Sequence, residues 1–160
     1  MNKDIQIAKK TVQTEIQALK KLLASFGRSL QFSKAVNLLS KMKGKCLVVG
    51  VGKSYLVGLK VSATLSSLGI PSIAFSASDL QHGSLGAIQK NQDVLLVFSV
   101  SGESSELNNI LRYANRHNIS VIGVSLSLIH ISGAHETRGN LVCRLPRSQR
   151  FRLVVGLPKS

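Results

Sequence analysis

The sequence is short of cysteine, of aromatic residues and of long apolar runs, and each shortage excludes a class of protein. Its two cysteines, Cys46 and Cys143, lie far apart in the chain, so neither a structural disulfide nor a metal site is expected. There is no tryptophan, and five Phe and two Tyr residues offer little surface on which nucleobases could stack. No apolar run approaches membrane-spanning length, and no apolar segment follows the charged N-terminus. We therefore expect a cytoplasmic globular protein that does not bind a membrane.

Acidic residues are also scarce, because seven Asp and Glu stand against 21 Lys and Arg, which gives a net charge of +14. Residues 1–125 hold 15 basic and 6 acidic residues, and residues 126–160 hold 6 and 1. Most lysines of the first part fall on predicted amphipathic helices, where solvated helix faces explain them. We therefore interpret the charge mainly as solvated helix faces, with attraction of a small anionic substrate as the alternative, and we do not expect binding of nucleic acid.

The spacing of apolar residues predicts an α/β fold in one domain. Apolar residues recur at intervals of three and four over residues 4–23 and 29–43, which predicts two amphipathic helices covering a sheet or a partner subunit. From residue 45 to 125, short apolar runs typical of buried strands alternate with helical segments. This alternation predicts a three-layer sandwich with a doubly wound, flavodoxin-like parallel sheet. Residues 1–44 are then N-terminal helices, and residues 45–125 are the α/β core. The strands are expected at residues 46–49, 72–75, 94–98 and 121–124, and the core helices at 55–68 and 104–117.

A serine-rich turn follows the most apolar of these strands. Residues 99–106 read Ser-Val-Ser-Gly-Glu-Ser-Ser-Glu, and the next residues begin a helix. Free N–H groups and the helix dipole favour an anion at such an N-terminus, and Ser99, Ser101 and Ser104 would add hydroxyl donors. Gly102 would let the backbone approach the anion closely. The same residues also fit a capping box, with Ser101 or Ser104 as N-cap and Glu103 or Glu106 in the first turn, and the two interpretations are compatible.

Two further turns are expected at the same edge of the sheet. The segment 50–54, Gly-Val-Gly-Lys-Ser, matches neither the Walker spacing nor the dinucleotide fingerprint, so no nucleotide cofactor is expected. It leaves Lys53 and Ser54 at a strand-to-helix turn. Residues 78–86 form a polar loop that carries His82 after another strand. Because the carboxyl ends of parallel strands meet at one edge, these turns and the serine turn predict a site for a phosphorylated ligand.

These three turns together resemble the sugar isomerase (SIS) domain family, and within it the arabinose-5-phosphate isomerases. The family's motifs G-x-G-K-S, H-G-D-L-G and S-x-S-G-E-S/T-x-E are matched in that order by residues 50–54, 82–86 and 99–106, with Ser in place of Asp at residue 84. The resemblance implies interconversion of ribulose 5-phosphate and arabinose 5-phosphate, which supplies the lipopolysaccharide sugar Kdo in Gram-negative bacteria. It also implies a site at a subunit interface, and therefore a homo-dimer or homo-tetramer. On the motif spacing and the cysteine positions above, no cofactor and no metal are expected.

The resemblance assigns roles to individual residues. The phosphate is held by Ser54, Ser99, Ser101 and Ser104, with Gly102 between them. At the reacting end of the sugar, the matching positions are Lys53, His82 and Glu106. We expect Glu106 to carry the proton, Lys53 to stabilise the developing oxyanion and His82 to move protons between hydroxyl groups. The alternative is a non-catalytic, regulatory SIS domain that binds a sugar phosphate.

The chain departs from the family at two motif positions and at its end. Ser84 stands where the family usually has Asp, and Asp79 stands where Glu is common. The family's further catalytic histidine, closing helix and paired CBS domains are not recognisable, so we expect an intact phosphate site and an incomplete catalytic set. Residues 126–160 are rich in arginine and contain segments that resemble translated sequencing-adaptor sequence. We interpret them as a non-native tail, although residues 141–145 could supply a fifth strand.

Overall fold

The computed structural model describes residues 2–26, 30–99, 104–125, 141–142 and 152–156. Four parallel strands are adjacent in the spatial order β2-β1-β3-β4, and β2 forms one edge of the sheet. They are β1 (Cys46–Gly50), β2 (Ser72–Ser76), β3 (Val94–Ser99) and β4 (Ser120–Ser125). The helices are α1 (Lys3–Phe26), α2 (Leu30–Lys41), α3 (Lys53–Ser67), α4 (Ala77–Gln81) and α5 (Ser105–Arg116). The predicted α/β fold with a parallel sheet and two N-terminal helices is confirmed.

Alternate residues of the central strands point into two separate apolar layers, as the period of two in a strand requires. On one face, strand residues pack with α4, α5 and the turn after α4 in a cluster that includes Leu47, Val49, Leu80, Leu95, Val97, Leu107 and Ile110. On the other face, strand residues pack with α2 and α3 in a cluster that includes Ala35, Cys46, Val48, Val94, Leu96 and Ile122. The sheet is therefore the middle layer of three.

Cys46 lies in the second of these layers and is completely buried. Burial raises the pKa of its thiol to about 12, although a hydrogen bond with Ser72 acts in the opposite direction. The thiol therefore stays protonated at neutral pH, as suits a small apolar core residue.

The register brings the strand ends level at one edge, which we call the carboxyl edge. Gly50, at the end of β1, lies opposite Ser76 of β2 and Phe98 of β3. Ser99, the last residue of β3, lies opposite Ser125 of β4. The segments that follow β1, β2 and β3 therefore leave the sheet side by side.

The structure corrects one secondary-structure expectation at this edge. Residues 78–86 were predicted to be a polar loop, but α4 begins at Ala77 and a 3-10 turn spans Ser84–Ala87. Ala77 and Leu80 are completely buried in the cluster that contains α5. The helix forms because two apolar side chains three residues apart reach the same core, a match that tertiary packing provides.

The apolar pattern of helix α1 predicts that it covers either the sheet or a partner subunit. The structure shows that it does not cover the sheet. Its apolar side chains are exposed, with Ile16 at 45%, Leu19 at 64% and Leu23 at 73%. Lys9, Lys10 and Lys20 are exposed as well, as solvated helix faces require. Among the described helices, none is long and apolar enough to cross a membrane.

Two short antiparallel strands extend the sheet beyond β4. They are β5 (Leu141–Val142) and β6 (Arg152–Gly156), and β6 pairs with β4. The strand considered for residues 141–145 is present over its first two residues. Residues 126–140 and 143–151, with Cys143, lie outside the described part of the chain.

Candidate functional site

The candidate site is the carboxyl edge, where α3, α4 and α5 follow β1, β2 and β3 along the chain. Lys53 and Ser54 open α3, His82 ends α4, and Ser104 and Glu106 lie at the start of α5. Ser99 is the last residue of β3. Ser101 and Gly102 lie outside the described residues. The fold thus brings six of the eight predicted site residues to one edge of the sheet.

The turn that carries Lys53 depends on two glycines. A Cβ atom at Gly50 would lie 2.7 Å from the carbonyl carbon of Ser54 and 2.7 Å from the nitrogen of Tyr55, so β1 and the first turn of α3 are in close contact. Gly52, the N-cap of α3, has φ 54° and ψ −121°, a conformation that residues with a side chain rarely adopt. These glycines allow the helix to begin immediately after the strand.

Lys53 and Ser54 differ in exposure at this turn. The Lys53 side chain is exposed, so its ammonium group can reach a ligand above the edge. Ser54 is half-buried, and its N–H donates to the carbonyl oxygen of Val51 at 3.1 Å. The N-terminus of a 15-residue helix thus lies beside a cation and a hydroxyl group, which favours an anion.

Ser104 is the N-cap of α5. Its Oγ accepts a hydrogen bond from the N–H of Leu107 at 3.4 Å, and its carbonyl oxygen accepts one from the N–H of Asn108 at 3.1 Å. The predicted N-cap at Ser104 is therefore confirmed. In a capping box, a Glu side chain at the third helical position accepts a hydrogen bond from the N–H of the N-cap residue. Leu107 occupies that position in α5, so this second hydrogen bond cannot form with it.

Glu106 lies in the first turn of α5 and is half-buried. Its Oε2 accepts a hydrogen bond from the hydroxyl of Ser105 at 3.3 Å. A carboxylate in the first turn is favoured by the helix dipole. One helical turn therefore combines a helix N-terminus, whose dipole favours an anion, with a carboxylate that can accept a proton.

His82 follows α4 and is exposed. Its backbone N–H donates to the carbonyl oxygen of Asp79 at 3.2 Å, which ends the helix. The imidazole is consequently accessible to a ligand at the carboxyl edge, on a short helix that is held by buried Ala77 and Leu80. A neutral imidazole can both donate and accept a proton.

Sequence reasoning missed Gln81, the residue before His82. Its Nε2 donates to the carbonyl oxygen of Glu106 at 2.5 Å, and its Oε1 accepts from Nδ2 of Asn109 at 3.4 Å. The sequence alone carries no signal for this contact, because the two segments are 25 residues apart and glutamine has no preferred partner. Gln81 directly joins the His82 turn to the start of α5.

Among the described residues, no three His, Cys, Asp or Glu side chains are grouped closely enough to hold a metal ion. The groups that the carboxyl edge does bring together are hydroxyl donors, one exposed ammonium group, an imidazole and a carboxylate. Such a set can bind a phosphate and move protons on an attached sugar.

The chain is similar in sequence to a known protein family and to several known proteins. The family model described as SIS domain matches residues 38–130. Arabinose 5-phosphate isomerase KdsD of Pseudomonas aeruginosa is 40% identical over 121 residues, which are 76% of this chain and 36% of that protein. The uncharacterized protein RP505 of Rickettsia prowazekii is 30% identical over 148 residues, which are 92% of this chain and 44% of that protein. The chain thus spans about two fifths of the length of these curated relatives.

The fold has counterparts among solved structures. The E. coli CFT073 protein c3406, solved in complex with arabinose 5-phosphate, superimposes with a TM-score of 0.70 and 30% sequence identity, covering 84% of this chain and 70% of that one. The alignment with the Rickettsia protein takes in 92% of the chain and so extends beyond residue 125. The non-native origin expected for residues 126–160 stays a prediction.

Proposed function

The chain belongs to the SIS domain family, and we propose that it binds a sugar phosphate and interconverts arabinose 5-phosphate and ribulose 5-phosphate. The observation that carries this proposal is the first turn of α5, where the capping hydroxyl of Ser104 and the half-buried carboxylate of Glu106 lie together. A phosphate above the helix end would place the attached sugar close to a proton acceptor. The P. aeruginosa relative, named an arabinose 5-phosphate isomerase, supports the choice of sugar.

The phosphate is assigned to the serine-rich part of the site. Ser104 and Ser99 lie at the start of α5 and the end of β3, and Ser54 lies in the first turn of α3. Ser101 and Gly102, between β3 and α5, complete the proposed set. Two helix N-termini and several hydroxyl groups would share the negative charge, and the high net charge of the chain would help to attract it.

The reaction is a proton transfer between neighbouring carbons. A base removes the proton from C2 of arabinose 5-phosphate, the electron pair forms an enediolate with the aldehyde, and C1 then receives a proton. A second proton passes from the C2 hydroxyl to O1, so that a ketone stands at C2. No atom is gained or lost, and no oxidant is required. We assign the carbon-bound proton to Glu106, the oxyanion to Lys53 and the hydroxyl protons to His82.

We also propose that the protein is a homo-oligomer, because the apolar face of α1 is exposed in the single chain. A row of apolar side chains left in water is stabilised when another surface covers it. A second copy of the chain is the partner that the resemblance to SIS domains implies. We also propose that the reaction takes place in the cytoplasm. In the reverse direction, from ribulose 5-phosphate, it would form the arabinose 5-phosphate that supplies Kdo, as the resemblance implies.

Binding is tested first, by the thermal midpoint of the 160-residue chain with arabinose 5-phosphate or with unphosphorylated arabinose. A ligand at 100 times its Kd stabilises the native state by about 2.7 kcal/mol, so we expect a clear rise with the phosphorylated sugar alone. An equal effect of both sugars, or of neither on a folded sample, would contradict the phosphate site.

Catalysis is tested by conversion of arabinose 5-phosphate to the ketose in wild type, Glu106→Gln and Glu15→Gln. Glu15 is exposed on α1 and serves as the matched control. We expect Glu106→Gln to bind the sugar phosphate but to lose conversion, while Glu15→Gln keeps both. Full activity of Glu106→Gln would contradict the role of Glu106. Binding by wild type without any conversion would instead favour the non-catalytic, regulatory SIS domain.

A further inference from the structure

Gln81 uses both ends of its side-chain amide to connect α4 with α5. Because the carbonyl oxygen of Glu106 can only accept a hydrogen bond, the amide atom that faces it must be the donor Nε2. The other end is then Oε1, an acceptor, and Asn109 must turn Nδ2 toward it. The orientation of both amides is therefore determined by one backbone carbonyl group.

This connection lies at the rim of an apolar contact between the same two helices. Leu80, beside Gln81, is completely buried in one cluster with Leu107 and Ile110 of α5. The apolar contact holds the helices together, but it has no preferred direction and permits sliding or rotation. Hydrogen bonds at fixed atoms restrict such movement, because their energy falls steeply with distance and angle.

The residues on either side of the connection are those to which we assign the proton transfers. Gln81 is bonded along the chain to His82, and its amide reaches the backbone of Glu106 itself. A shift of α4 relative to α5 would therefore change the position of the imidazole with respect to the carboxylate. Small errors in such positions are costly, since a displacement of about 1 Å can lower a rate about 100-fold.

We propose that Gln81 is a positioning residue that holds the His82 turn against the first turn of α5 and thereby sets the geometry of the isomerisation. This inference rests on the proposed function. Gln81 does not contact the substrate in this role. Its effect passes through His82 and Glu106, so it should alter turnover far more than affinity for the sugar phosphate.

The test compares wild type with Gln81→Met, Gln81→Glu and Gln89→Met at neutral pH. Methionine keeps the length and apolar stem of the side chain without either hydrogen bond, and ionised glutamate keeps its shape without the donor. Gln89 is exposed at the far end of the segment after α4 and provides a matched control. For each protein, kcat and KM for arabinose 5-phosphate and the thermal midpoint are measured.

We expect kcat to fall about 10-fold or more in both Gln81 variants, with KM changed by less than about 2-fold and the rise in thermal midpoint on adding arabinose 5-phosphate retained. Gln89→Met should match wild type. Unchanged kcat in the Gln81 variants would overturn the inference alone. So would a parallel loss of kcat, sugar-phosphate binding and thermal midpoint in both variants, because that pattern indicates a purely structural role. Wild type without turnover would overturn the proposed reaction first, and this inference with it.

Discussion

The carboxylate of Asp93 binds both ends of Lys45. Its Oδ1 accepts from the backbone N–H of Lys45 at 2.8 Å, and its Oδ2 lies 2.9 Å from the ammonium nitrogen of the same residue. Oδ2 also accepts from the N–H of Gln89 at 2.8 Å. The Asp93 side chain is completely buried. It thus joins the starts of β1 and β3 at the edge opposite the candidate site.

Because these contacts favour the ionised carboxylate of Asp93, we expect acid to destabilise the protein by protonating it. Burial alone would raise the pKa of the carboxyl, but the N–H groups of Gln89 and Lys45 and the Lys45 ammonium outweigh it and hold the pKa below its usual value of 3.8. A lowered folded-state pKa contributes stability above the unfolded-state pKa, and this contribution is lost as pH falls through the folded-state value.

Asp93→Asn should accordingly lower the free energy of unfolding at pH 7 by about 1.5–3 kcal/mol, the range for hydrogen bonds to a charged group. It should also flatten the decline of stability below about pH 4. Urea unfolding from pH 7 to pH 3 measures both effects. Asp79→Asn, at an exposed position, is the control. Equal stability of wild type and Asp93→Asn at pH 7 would show that the contacts contribute nothing.

Two substitutions of Ser104 separate its structural role from its proposed role in binding. Ser104→Ala removes the N-cap and should cost about 1 kcal/mol of stability. Ser104→Asp keeps a capping acceptor but adds a negative charge where the phosphate is assigned. We expect both variants to bind arabinose 5-phosphate more weakly and Ser104→Ala alone to be less stable. Wild-type affinity in Ser104→Asp would remove Ser104 from the phosphate site.

The contact of Gly50 with α3 predicts a large effect of a single methyl group. A Cβ there would overlap the backbone of Ser54 and Tyr55, which cannot rotate away as a side chain would. Gly50→Ala should destabilise the protein by about 1–3 kcal/mol or more and should displace Lys53 and Ser54, with weaker binding of the sugar phosphate. Gly86→Ala, where no heavy atom lies within 4 Å of the added carbon, should be nearly neutral. Thermal midpoints of both variants, measured with and without arabinose 5-phosphate, test the loss of stability and the weaker binding.

The exposed apolar face of α1 predicts a change of assembly on substitution. Ile16→Lys combined with Leu19→Lys places charges on the face that we assign to a second copy of the chain. Light scattering during gel filtration should show a smaller species than the wild-type oligomer. Thr14→Lys, on the opposite side of the same helix by its 3.6-residue period, should leave the mass unchanged. A monomeric wild type would contradict the assignment.

Much of the fold could be predicted because its signals are local. Strands β1 and β3 are short apolar runs buried on both faces, and all four parallel strands lie within one or two residues of their predicted bounds. The helices α1, α2 and α5 carry apolar residues at helical spacing. Ser104 was recognisable as an N-cap because serine at a strand-to-helix turn accepts from the first turn.

The sequence was also sufficient to predict that the polar turns meet at one edge of the sheet. Parallel strands end at one edge of a sheet, so the segments that follow them leave that edge side by side, as those that carry Lys53, His82 and Ser104 do. The roles of these residues remain predictions. Ser101 and Gly102 lie outside the described residues, and their positions remain predictions too.

The sequence by itself determined the alternation of strands and helices and the edge at which the polar turns meet, because backbone periodicity and buried apolar runs depend on near neighbours. Only the tertiary structure decided that residues 77–81 form a helix, that α1 keeps its apolar face exposed, and that Gln81 reaches Glu106. Each of these features depends on which distant segment lies opposite. That choice is made by packing around the whole core, where small differences in burial outweigh local preference.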